Sequence, residues 1–231
     1  MPIPVYLAMT ASEVQNTDLK PKHMAWMACH FSCDASTITN LPKTLPQSAM
    51  LILDDSTPPN KQEPQQIADA LERVYKQLNC IGILLDFQCT DLPENAAIVA
   101  ALERRRLPFA ASEAYALKRN CAVFLPPVPL AIPIEEYISR WKDREIWLEL
   151  ALDGAVITVT QEGCREQYLP AAQTPLNGHL DSKLHCHYAV QADDDTATFT
   201  LWRTKEDITA ILTEAEKCGV KLAVGLWQEL R

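Results

Sequence analysis

Glycine is scarce in this chain, with six in 231 residues and no two adjacent. A loop that cradles phosphate needs several glycines directly after an early strand, so a nucleotide-binding α/β sheet is disfavoured. Positive charge is also in short supply: 21 Lys and Arg stand against 30 Asp and Glu, a net charge of -9. The single basic knot, Arg104-Arg105-Arg106, reads as a helix end, where cations suit the dipole. Binding a phosphate backbone requires clustered cations, so no nucleic-acid partner is expected. Long apolar runs are missing too. None approaches the roughly 18 residues of a membrane span. The opening residues, from Met1 to Met9, hold no basic segment ahead of an apolar one. The expectation is a cytoplasmic protein with no membrane partner.

What is present points to a packed globular chain. A 48% hydrophobic and 22% charged composition supports one large core, and one domain over residues 1–231 is expected. Eight cysteines, several inside apolar strand-like runs, fit reduced and mostly buried thiols.

The clearest stretch is 80–89, Cys-Ile-Gly-Ile-Leu-Leu-Asp-Phe-Gln-Cys. A continuous apolar run of this kind fits a parallel strand buried on both faces. It ends in Asp86 and Gln88, two apart and so on one side of the strand. In a barrel, polar residues at a strand's C-terminal end face the mouth, where chemistry sits.

The flanking chain alternates strand and helix. Strands are expected at 5–10 and 24–31 with a short or irregular connection between them, then loop over 34–48. A third strand from 49 ends in Asp54, Asp55 and Ser56 before prolines stop it. Ile67, Leu71, Val74, Tyr75 and Leu78 have helical spacing over 63–78, as do Ile98, Val99 and Leu102 over 94–105. Further strands follow at 108–112, 121–125 and 145–150, with a helix over 134–141. Residues 155–160, 184–190 and 196–202 change to β-branched, alternating segments, with a hairpin loop over 191–196. Thr204 caps a helix to Cys218, with Asp207 in the capping-box position and Gly219 closing it. The last strand is expected over 221–229. The predicted fold is an α/β (β/α)8 TIM barrel with a small antiparallel β insertion at about 155–202, between strands 7 and 8.

The 80–89 run resembles the fourth-strand signature of the glycoside hydrolase family 18, chitinase-like proteins, D-G-x-D-x-D-x-E. Gly82 and Asp86 keep that pattern. Ile81, Leu84 and Gln88 occupy the positions of its other acids, and Gln88 stands at the catalytic glutamate. Residues 199–230 are similar to the end of these proteins, where a helix and a last strand deliver a tryptophan to the sugar site; Trp227 matches it. The β insertion looks like that of the family's spore-associated, peptidoglycan-acting branch. The resemblance implies a chitinase-like barrel binding a carbohydrate or related small ligand at its mouth through Asp86, Gln88, Trp227 and Asp55. Asp86 would orient an N-acetyl group. Gln88 can hydrogen-bond a glycosidic oxygen but cannot protonate it.

Other readings stay open. Glu149 shares a strand face with Trp147 and suits a salt bridge at the rim; with Asp86 it would instead make a two-carboxylate hydrolase, the catalytic set if the protein is active. A barrel serving protein interaction is the third reading. Asp54 and Asp55 also suit turn capping before Pro58, and Trp227 suits a core. Cys29, His30 and Cys33 with His185, Cys186 and His187 have zinc-type donors, but their spacing matches no recognised finger. No metal and no cofactor are expected.

Overall fold

The computed structural model describes residues 2–18, 21–32, 37–57, 63–152, 154–175 and 177–231. Its strands in chain order are β1 (Val5–Met9), β2 (Met24–Phe31), β3 (Ile38–Thr39), β4 (Met50–Asp54), β5 (Gly82–Asp86), β6 (Phe109–Ser112), β7 (Ala122–Leu125) and β8 (Ile146–Leu150). They continue with β9 (Gly154–Thr160), β10 (Gly163–Leu169), β11 (His179–Asp181), β12 (Cys186–Ala192), β13 (Thr196–Trp202) and β14 (Leu222–Leu226).

Eight of these strands close a parallel barrel in the order β1-β14-β8-β7-β6-β5-β4-β2, with β2 pairing back to β1. Side-chain alternation divides each strand between two environments. Tyr6, Ala8, Ala25, Met50, Ile52, Leu84, Phe124, Trp147 and Val224 form one buried interior group. The intervening residues, such as Leu51, Leu53, Ile83 and Leu85, pack outward against Ile67, Leu71, Ile98 and Leu102 of the surrounding helices. Gly82 has a steric task here. A Cβ on it would lie 2.7 Å from the Trp147 ring, so the glycine makes room for the largest interior side chain.

The helices are α1 (Ala11–Asn16), α2 (Pro64–Leu78), α3 (Pro93–Arg105), α4 (Glu113–Ala116), α5 (Ile134–Ile138), α6 (Lys205–Lys217) and α7 (Trp227–Leu230). Only six residues long, α1 carries its own capping box between Thr10 and Glu13, which is how so short a helix is held. Asn79 and Arg106 end α2 and α3 in the left-handed conformation. Arg105 at the end of α3 bonds Asp69 and Glu72 of α2. Thr204 and Asp207 form the capping box of α6.

The chain departs from expectation at its last strand, which stops at Leu226 and turns into α7. Gly225 permits this return: a Cβ there would meet the Leu230 side chain and lie 2.9 Å from the Leu150 carbonyl oxygen. Trp227 therefore begins a helix and is not a strand residue.

Between β8 and α6 lies a five-stranded antiparallel sheet in the order β10-β9-β13-β12-β11. Sequence reading finds three of the five. In β10, Gly-Cys-Arg-Glu-Gln-Tyr-Leu, every residue but the last is exposed, so no apolar alternation marks it. Arg203 ties this sheet to the barrel. It is buried, and its guanidinium donates to the carbonyls of Val128, Pro129 (3.2 Å) and His185 (3.4 Å). The Cys186 thiol adds a bond of 3.5 Å to the Leu130 carbonyl.

Candidate functional site

The inward register continues past the apolar floor to the C-terminal ends of the strands, where it becomes polar. Following Met50 and Ile52 on β4 comes Asp54; following Leu84 on β5 comes Asp86; following Trp147 on β8 comes Glu149. On β2 the register shifts between Trp26 and Cys29. Cys29 and Phe31 consequently join the outer core, and His30 turns inward. His30 then pairs across strands with Asp54, and Asp54 with Asp86, giving a row of three polar residues at the mouth.

Two side-chain pairs organise that row. The Gln88 amide donates from Nε2 to Asp86 Oδ1 at 2.6 Å. His30 Nδ1 lies 2.8 Å from Asp54 Oδ2, while Asp54 Oδ1 accepts from the Ser56 amide at 2.9 Å and from its hydroxyl. Asp86 is pushed above the usual aspartate range, chiefly by burial; the Gln88 bond opposes this, and the nearby Asp54 and Asp55 charges add to it. A carboxyl raised in this way holds its proton more readily in the folded state than in the unfolded chain. Its contribution to stability is therefore greatest below the ordinary value of 3.8 and is lost as pH rises through the raised one. Asp86→Asn should accordingly raise stability at neutral pH by about 0.5–2 kcal/mol, with the gain vanishing in acid. Denaturant midpoints measured across pH check this, and an equal gain at every pH would count against it.

Asp55 points away from its neighbour and is 3% exposed. Its carboxylate accepts from the amides of Gln88 (2.8 Å) and Cys89 (3.0 Å) and from Asn95 Nδ2 (2.8 Å). It thus anchors the segment that carries Gln88. Tyr115 reinforces the same segment by donating to the Cys89 carbonyl, and Ser112 does so by donating to the Phe87 carbonyl at 2.9 Å.

Glu149 is partly buried, and it lines a narrow crevice with Val128 and Arg203. It also stands near Tyr137, whose hydroxyl is pushed up to about 12 by burial first and then by the Glu113 and Glu149 charges against Arg140. Trp227 is half-buried and packs beside Met9, Met24 and Ala49. Asp86 and Gln88 are thus in direct contact, Asp55 supports them from behind, Glu149 stands on β8 and Trp227 at the start of α7.

The zinc-type residues scatter. His185 sits in a left-handed turn ahead of β12, so it does not share a strand face with His187. His187 bonds Asp207 at 2.8 Å and stacks on Trp202. Cys29 faces the outer core, where burial pushes its thiol up to about 12, and Cys33 lies outside the described residues. Among the described residues, no group of three His, Cys, Asp or Glu is placed to hold a metal ion. The described cysteines are free: Cys29, Cys80 and Cys186 are buried, Cys121 and Cys218 half-buried, and Cys89 and Cys164 exposed. No helix of the described residues is long and apolar enough to cross a membrane.

Sequence reading missed the His30–Asp54 pair and the role of Asp55. A signal for the pair existed in the Asp54-Asp55-Ser56 cluster ending a strand, but its partner lay across a register shift.

No family model and no curated protein matches the chain. Solved structures do. The chain superposes on the chitinase-like agglutinin of Robinia pseudoacacia with a TM-score of 0.63 at 13% identity, covering 98% of this chain and 95% of that one. For the spore cortex-lytic enzyme SleL of Bacillus cereus the TM-score is 0.61 at 13% identity, over 99% and 71%. For a glycoside hydrolase family 18 N-acetylglucosaminidase of Paenibacillus barengoltzii it is 0.61 at 10% identity, over 99% and 97%. The structural neighbours are family 18 chitinases and chitinase-like proteins, and at these identities the likeness is one of fold.

Proposed function

We propose that this chain is a chitinase-like barrel that binds a carbohydrate at its C-terminal mouth and lacks that family's proton donor. The observation that carries the reading is the Gln88 amide held 2.6 Å from Asp86 at the mouth. An amide at that point can orient a ligand oxygen and has no proton to give a leaving group. In this reading Asp86 and Gln88 contact the ligand, Asp55 fixes the segment beneath them, and Trp227, at the rim beyond β14, offers its ring face to the sugar.

A second reading has one observation in its favour. Asp86, held toward its protonated state, suits a general acid, with Glu149 as the partner carboxylate in a rearranged hydrolase.

Calorimetric titration with N-acetylglucosamine oligomers, alongside a reducing-end assay, separates the two. Binding without turnover is expected, weakened roughly three- to tenfold by Gln88→Ala through loss of one net hydrogen bond. Turnover abolished by Asp86→Asn or Glu149→Gln would favour the hydrolase. Absence of binding to any oligomer on a glycan array would overturn both.

A further inference from the structure

The Asp86–Gln88 pair supplies only part of the polar surface at the mouth. Beside it, His30 is held from two sides. Asp54 Oδ2 faces its Nδ1 at 2.8 Å, and Thr39 Oγ1 donates to its backbone carbonyl at 3.2 Å. A carboxylate can only accept, so the neutral ring carries its proton on Nδ1. Asp54 cannot turn aside, because its second oxygen is already engaged by the Ser56 amide and hydroxyl. Among the described residues, that leaves Nε2 as the ring nitrogen without a bond. The His30 side chain is 34% exposed against 20% for Asp54, so the imidazole is the wetter end of the pair.

We propose that His30 is a ligand-contacting, specificity-determining residue of the mouth, with Asp54 as its positioning residue. The inference rests on the carbohydrate reading above and sharpens it: the mouth selects a neutral, hydroxyl-rich sugar over one bearing a carboxylate. The donor and acceptor count leads to this. In the neutral ring His30 Nε2 accepts, the Asp86 carboxylate accepts, and Gln88 has already committed one N–H to Asp86. A surface so rich in acceptors is satisfied by hydroxyl donors. A sugar carboxylate would bring more acceptors and a negative charge against Asp86 and Asp54. The competing view makes the His30–Asp54 bond a mere latch between β2 and β4.

Three variants separate contact from latch. His30→Asn keeps an amide N–H near Nδ1 for Asp54 but has nothing where Nε2 stood. His30→Gln restores an amide group close to Nε2. Asp54→Asn lets the new amide donate to Nδ1, which forces the ring proton to Nε2 and turns the ligand-facing acceptor into a donor. The measurements are calorimetric titrations with a neutral N-acetylglucosamine oligomer and with a uronic-acid oligomer. Imidazole 15N NMR of the free proteins in mildly alkaline buffer accompanies them.

The native ring is expected to show its proton on Nδ1 and the Asp54→Asn ring on Nε2. The neutral oligomer should bind in preference to the acidic one. His30→Asn should weaken the neutral oligomer roughly three- to tenfold at unchanged melting temperature, the size of one net hydrogen bond. His30→Gln should recover most of that loss, and Asp54→Asn should narrow the gap between the two oligomers. Native-like affinity in His30→Asn would overturn the inference and leave the carbohydrate reading standing. A native ring protonated on Nε2 overturns it whatever binds. Native protein that binds neither oligomer removes the carbohydrate reading, and the selection with it.

Discussion

Asp55→Ala is expected to destabilise the protein by about 3–5 kcal/mol, since each buried donor left without a partner costs about 1–3 kcal/mol. Three donors lose their acceptor at once: the Gln88 amide, the Cys89 amide and the Asn95 side chain. Water cannot readily replace the carboxylate, which is almost wholly enclosed. The loss falls on the 87–95 segment, so Gln88 should no longer be presented to the mouth. Saccharide binding should disappear even at temperatures where the variant stays folded. Asp55→Asn should fall between, because an amide offers one oxygen to donors that now share two. Denaturant unfolding gives the first effect and calorimetric titration the second. A variant that binds like the native protein would show that Gln88 is placed by other contacts.

Arg203→Met is expected to cost about 2–4 kcal/mol, since a buried acceptor left without its donor costs about 1–3 kcal/mol. Three carbonyls, those of Val128, Pro129 and His185, would lose a charged donor. Arg203→Lys should rescue little, because a point-like ammonium cannot span acceptors that the planar guanidinium reaches together. Arg203 also helps to line a cleft of about 620 Å³ between residues 127–132 and the insertion, where Ile157, Glu166 and Tyr168 form one wall. Hydrogen exchange should accordingly speed up in 127–132 and 154–202 before it does in β4 and β5. Uniform loss of protection across the barrel would instead mean that the two parts unfold together.

These two residues also show where sequence reading stops. The β/α alternation was legible because buried parallel strands such as 50–54 and 82–86 are continuous apolar runs, while α2 and α3 carry helical spacing. Asp86 and Gln88 were legible as a pair because residues two apart on a strand point the same way. Asp55 was not, since its three donors lie 33 to 40 residues further along the chain. His30 was read only for its possible metal chemistry. Unbroken alternation on β2 would carry the inward face of Ala25 to Cys29 and Phe31 and send His30 outward; the register shift reverses this. Arg203 follows an alternating strand and carries no local sign that it would be buried, because its acceptors come from the turn after β7 and from His185, 18 residues back.

Barrel closure has a consequence for how the protein is made. Strand β1 emerges early during synthesis, yet one of its edges can be filled only by β14, which is translated after every other barrel strand. Until then the growing sheet carries an open row of backbone donors and acceptors at each end, the condition under which nascent chains pair with the wrong neighbour. In the insertion sheet only the β9–β13 pairing has to wait in this way, for the last of its strands. Its strands β9 and β10 join through a two-residue turn, and β12 and β13 through three residues, so these hairpins can form as they leave the ribosome.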